Sequence, residues 1–179
     1  MADRLISATL GHRLLFVALA LVILFWRLLP GPPADDAWPG PDLLPGIVFC
    51  WTMRRPDFLP FWLVAAVILT EDLLLMRPPG LWAALVVAGA EFLRSRTSLA
   101  RELNFGAEWL LASLVMAAMA LANRLVLGLS GLTGVPAEAT LCQLLATILC
   151  YPLVVGVSVL VFGLHKPAMG EIDAAGRRL

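Results

Sequence analysis

The sequence predicts an all-α integral membrane protein of about six transmembrane helices with both termini in the cytoplasm. Three observations carry that expectation. The 179 residues are 60% hydrophobic and 15% charged, with a mean hydropathy of +0.88, whereas a soluble chain is nearer half apolar and a quarter charged. The apolar residues gather in six runs, near 14–29, 40–53, 58–76, 80–93, 107–127 and 139–164. With the N-terminus inside and six crossings, ten of the thirteen Lys and Arg residues fall on the cytoplasmic face. Only Arg27, Arg77 and Arg124 fall on the other. Retention of positive charge inside produces that bias. Nearly all of the chain lies in or beside these runs, so a single transmembrane domain over 1–179 is expected. The formal net charge of zero says little about partners, and no nucleic-acid partner is expected.

The N-terminal MADRLISATLGHR is short and basic, and Leu14 to Leu29 follows as the first apolar run. A signal peptide has this layout, but PGPPADDAWPG offers no small-residue cleavage site, so an uncleaved first helix is expected. Pro30 to Pro41 reads as an acidic, proline-rich loop with Trp38 at headgroup level. Leu43 to Met53 is too short to cross a core of about 30 Å at 1.5 Å per residue. Either its helix starts near 40, or it enters part of the bilayer sheltered by neighbours. Phe58 to Met76 is long enough, and the fourth run stays apolar from Gly80 to Leu93. RSRTSLARELNF, within 94–105, fits a short amphipathic helix on the membrane surface or an extension of the fourth helix. The sixth run holds Pro152, where a kink is expected, and 165–179 is a polar tail.

A charged side chain inside an apolar helix costs about 2.5–3.5 kcal/mol on insertion scales, so the acidic pair Glu71 and Asp72 needs a reason. Asp72 stands out as the sharper residue, about a turn from the outer helix end, where it can pair with Arg77 or reach the interface. Glu71, about 100° round the helix, points elsewhere. Arg54 and Arg55 form a basic corner after Trp51, either a topology anchor or a docking corner for a cytoplasmic partner or anionic lipid. Glu91 and Arg94, three apart, satisfy each other. Gly80 permits the turn and close packing of the third and fourth helices. Cys50, Cys142 and Cys150 match no metal or CxxC pattern and read as small hydrophobes. His12 and His165 flank the first and last runs, as interfacial residues do. The chain has no P-loop, HExxH or GxSxG and no dense cluster of His, Cys, Asp and Glu. No enzyme activity, cofactor or metal is expected.

The ordered string Pro41-Asp42, Trp51, Arg54-Arg55, Asp72-Leu73-Leu74 and Pro79-Gly80-Leu81 resembles the bacterial rod shape-determining membrane protein family MreD. In that family a Pro-Asp pair opens the second helix and a Trp precedes a basic turn. An acid then falls late in the third helix, a few residues before a Gly-Leu that opens the fourth. EFLRSR at Glu91 to Arg96 also looks like proteobacterial members. The matching region covers about a third of the chain, and Thr70-Glu71 departs from the small or apolar pair that often precedes the acid. The resemblance implies a non-enzymatic scaffold of the cell-elongation machinery in the inner membrane. Such a scaffold binds MreC, a single-pass periplasmic protein, and through it connects with MreB, RodA and penicillin-binding protein 2. It also implies a helix arrangement similar to the substrate-binding subunits of energy-coupling-factor vitamin transporters. Asp42, Trp51, Arg54, Arg55, Asp72 and Gly80 become candidates for partner docking or for structure, and Asp72→Asn is expected to weaken partner binding.

Two rivals stand beside this reading. A transporter subunit that captures a vitamin predicts a ligand pocket under the outer loops. An intramembrane enzyme with Glu71 and Asp72 as acid and base needs carboxylates that converge, which adjacent helical positions disfavour.

Overall fold

A computed structural model describes residues 2–29, 40–96, 104–131 and 136–163. Among the described residues there are six α-helices and no strand. In chain order they are α1 (Ala2–Leu28), α2 (Leu43–Arg54), α3 (Phe61–Leu74), α4 (Leu81–Ser95), α5 (Phe105–Leu129) and α6 (Ala137–Leu160), with a 3-10 turn at Pro56–Phe58.

The helices fall into two length classes. Thr9–Leu28 of α1, α5 and α6 supply 20, 25 and 24 residues and are apolar enough to cross a membrane. The helices α2, α3 and α4 have 12, 14 and 15 residues, or about 18–23 Å, short of a core of about 30 Å. The expectation that the third run is long enough is therefore corrected. Pro56 and Pro60 hold its first residues outside the helix, which starts at Phe61. At its far end Met76 turns left-handed, with φ 54°. The Arg77 N–H donates to the Asp72 carbonyl at 2.9 Å and the Met76 N–H to the Leu73 carbonyl at 3.4 Å, a Schellman closure with Met where glycine is usual. The second helix likewise starts at Leu43 and not near 40, because Asp42 is extended before it. The first helix begins earlier than 14, taking in the basic flank from Ala2. The last ends at Leu160 and not 164, and Gly163 beyond it is left-handed. The acidic loop with Trp38, most of the 94–105 segment, His165 and the tail lie outside the described residues.

Burial explains how short helices persist beside long ones. Ten of the twelve residues of α2 are buried, from Leu44 through Arg54 with Ile47 half-exposed. A helix apolar on all sides belongs at the centre of a bundle, and α2 packs on α4 and α6. Trp51, with no exposure, donates its indole N–H to Ser158 Oγ of α6 at 3.3 Å. At Gly89 of α4 an added Cβ would lie 2.9 Å from Met119 Sδ and 3.0 Å from Phe49 Cζ and Val115 Cγ1. The close approach of α4 to α2 and α5 therefore rests on that glycine. Outside, Leu110, Leu114, Leu121 and Leu125 of α5 and Leu141, Leu145, Leu149 and Leu153 of α6 are exposed at helical spacing. An apolar face of that extent is at home against lipid tails.

Pro152 lies inside one continuous α6. Having no N–H, it leaves the Ile148 carbonyl without its helical donor. The Trp109 indole of α5 donates to that carbonyl at 2.9 Å, so a neighbouring helix repairs the bond.

Candidate functional site

Among the described residues, the buried ion pairs fall in two separate groups, each at helix ends. At one end α1, α3 and α5 finish and α2, α4 and α6 begin. There Arg27 Nη1 lies 3.0 Å from Asp42 Oδ1 and in hydrogen-bond contact with Glu71 Oε1. Arg77 Nη1 stands 3.8 Å from the same Glu71 oxygen. The Asp42 N–H donates to Thr147 Oγ1 at 2.8 Å. One cluster thus pins α1, α2, α3 and α6 together. Glu71 has no exposure, and a buried carboxylate is tolerable only when paired. Its expected lesser role is corrected: it is the central acid of this cluster.

Asp72 performs a different task. Gly80, with φ 90°, is the residue before α4 and has no side chain to cap it. Asp72 Oδ2 accepts from the Gly80 N–H at 3.2 Å and the Ala83 N–H at 3.1 Å, supplying the cap from the preceding helix. The carboxylate also lies against the positive end of the α4 dipole. The expected pairing of Asp72 with Arg77 is corrected, since Arg77 approaches Glu71. Adjacent positions about 100° apart have sent the two carboxylates to separate partners. Gly80 serves the turn as expected. Close packing there is corrected, because a Cβ at Gly80 would meet nothing within 4 Å.

At the other end Arg54 Nη2 of α2 lies 3.3 Å from Glu108 Oε1 of α5, with the Arg54 side chain 9% exposed and that of Glu108 not at all. Arg13 donates to the Asp57 carbonyl at 3.2 Å, and His12 stacks on Phe58 with ring centroids 4.3 Å apart. Arg94 donates to Glu91 at 2.7 Å, as its spacing predicts, and also to the Leu59 carbonyl. Arg55 is half-buried, its amide N–H bound to the Trp51 carbonyl at 2.7 Å. Glu108 escaped the sequence reading. Its signal was an acid in the first turn of an otherwise apolar helix, which demands a cation at the same depth.

Asp42, Trp51, Arg54 and Asp72 are all buried within this chain, and they join its own helices to one another. The three cysteines are free, and among the described residues no three His, Cys, Asp or Glu side chains converge to hold a metal.

Beside the first cluster lies a chamber of about 740 Å³. The start of α2, the α3–α4 turn, the end of α5 and the start of α6 line it, and it is open on one side. Met116, Met119, Trp82 and Leu144 give it apolar walls, and Arg77, Asn123, Arg124 and Gln143 add polar groups. Comparison with protein-family models, with curated proteins and with solved structures returns no match to this chain.

Proposed function

We propose that the protein is a non-enzymatic scaffold of the bacterial cell-elongation machinery, an inner-membrane protein of the MreD type. In this reading it crosses the membrane six times with both termini cytoplasmic. It binds an MreC-like single-pass partner and acts through it on MreB, RodA and penicillin-binding protein 2. The observation that carries the reading is the ordered string from Pro41-Asp42 to Gly80-Leu81. The positions of those residues support it. Asp42, Arg54, Asp72 and Gly80 fall at helix ends, where they fix the arrangement of α2, α3 and α4. Their part in partner binding is then indirect, by shaping the surface those helices display. Short central helices between charged clusters complete the crossing by local thinning of the bilayer, at a cost of fractions of a kcal/mol per Å.

Depletion in a rod-shaped host tests the reading. Cells are expected to round up and to recover on re-expression. Cells that keep their rod shape and their pattern of wall synthesis after depletion contradict it.

The chamber favours a second reading, a substrate-binding subunit of a small-molecule transporter. Its volume of about 740 Å³ falls within the ~300–1,000 Å³ common for ligand sites. That reading requires an ATPase partner, which separates it from the scaffold.

A further inference from the structure

The long helices α5 and α6 each turn one stripe to the chamber. On α5 it holds Met116, Met119, Ala120, Asn123 and Leu127, and on α6 Thr140, Gln143, Leu144 and Thr147, the three- and four-residue steps of a single helix face. Arg124 Nη1 donates to Thr140 Oγ1 at 3.1 Å, which joins the two helices next to Asn123 and one turn from Gln143. The side-chain amides of Asn123 and Gln143 therefore stand on neighbouring helices at about one level of the chamber. Both residues are half-buried, and among the described residues neither side chain makes a hydrogen bond. Amides on spanning helices serve as polar contacts within a bundle, and an unpaired one costs free energy away from water. A third wall group is in the same position: the indole N–H of Trp82 is buried and has no acceptor in the chain.

The charged groups of the wall, by contrast, are engaged by the fold. Arg27 holds the Asp42 carboxylate at 3.0 Å. Arg77 lies between the buried Glu71 carboxylate, 3.8 Å away, and the face of Trp82, 5.9 Å from the ring centre. Arg124 is bound to Thr140 and makes a further interaction within the chain. A charged ligand would therefore meet no free counter-charge, and an ion taken from water unpaired is costly. What the chamber still offers is neutral. Each carboxamide brings an acceptor oxygen and an NH2 donor, and the indole only donates. Met116 and Met119 are buried, and thioether side chains adapt to apolar bodies of varied shape.

We propose that this chamber binds an uncharged amphipathic molecule, with an apolar body and a carbonyl-bearing polar group such as an amide or an ester. Asn123 and Gln143 pair with the polar group, the Trp82 indole donates to a ligand oxygen, and the body lies against Met116, Met119 and Leu144. A neutral bilayer lipid and a water-soluble uncharged metabolite both meet this description. The proposal does not depend on whether the protein serves as a scaffold or as a transporter subunit.

The test uses the full-length protein in mild detergent at about pH 8 with decanamide, decanoate and decylammonium, which share one chain length and are neutral, anionic and cationic there. Dioleoylglycerol, an uncharged lipid with ester carbonyls, is the fourth probe. Binding is read by ligand-induced thermal shift and by native mass spectrometry. Saturable binding of an uncharged probe is expected, about tenfold or more tighter than that of either charged probe. The double variant Asn123→Leu/Gln143→Leu should weaken it by about tenfold or more without lowering the Tm of the unliganded protein, because neither amide holds the fold. Ala120→Phe, which fills the chamber and leaves its polar groups in place, should abolish binding, and it serves if the double variant does not fold. Binding of dioleoylglycerol alone supports the proposal with the bilayer as the source. Binding of decanamide, alone or with the lipid, supports it with a soluble molecule as occupant. A charged probe that binds as tightly as the uncharged ones overturns the proposal, as does the failure of both uncharged probes to bind saturably. Binding that is unchanged in either variant overturns it as well.

Discussion

Replacing Glu71 by Gln removes one charge from the buried cluster while keeping the size of the side chain. Breaking a buried ion pair by deleting one partner costs about 3–5 kcal/mol when the remaining charge is sealed from water. Two features reduce that figure. The Arg27 side chain is 20% exposed and keeps Asp42 at 3.0 Å, and the Gln carbonyl can still accept from Arg27. A loss of about 2 kcal/mol is expected, or roughly 4–8 °C in Tm for a chain of this size. Glu91→Gln is the internal control. It removes an i,i+3 pair whose side chains are 26% and 42% exposed, and such a pair contributes about 0–1 kcal/mol. The assay is thermal unfolding in one mild detergent at low and high salt. The Glu91 pair should fade with salt, while the Glu71 cluster is largely unscreened. In the cycle with Arg27→Gln the two losses should be non-additive by about 0.5–3 kcal/mol. Additive losses, or a Glu71→Gln protein as stable as Glu91→Gln, would refute the assignment of Glu71 as the central acid.

Three further outcomes follow from the geometry. Asp72→Ala strips the cap from α4 and should cost about 2 kcal/mol, whereas Asp72→Asn keeps an acceptor and should cost about half as much; equal losses in thermal unfolding would contradict the capping role. Met76 is 92% exposed and left-handed, so Met76→Gly relieves its backbone and should raise stability by about 0.5–1 kcal/mol, with a lower Tm as the contrary result. Trp109→Phe leaves the Ile148 carbonyl unpaired beside Pro152 and should cost about 1–3 kcal/mol; restoring the helical donor with Pro152→Ala should recover part of that loss, and no recovery would contradict the repair.

Much of the fold was legible in the chain because hydropathy and spacing are local properties. The long runs of α5 and α6 needed only composition, and the Glu91–Arg94 pair needed only a three-residue spacing. The relative importance of Glu71 and Asp72 was not legible, because adjacent acids look alike until the neighbours of each helix face are known. Arg54 and Glu108 stand 54 residues apart in sequence, and only the packing of α2 on the rest of the bundle brings them together. The prolines around α3 hid its true length, since an apolar run and a helix coincide only where backbone N–H groups are present to bond. The chamber was invisible for the same reason as Glu108: its walls come from four separate parts of the chain between Asp42 and Thr147. The small-residue contact was likewise placed at Gly80, where a turn was needed. The crowded glycine is Gly89, whose neighbours belong to other helices.

Affinity purification of the full-length protein from its native membrane in mild detergent, with mass spectrometry of proteins and small molecules, tests the scaffold reading most directly. Recovery of an MreC-like single-pass protein together with cell-wall synthases is the expected result. Recovery of paired ATPases with a bound vitamin, and no such single-pass partner, would contradict the scaffold and favour the transporter subunit.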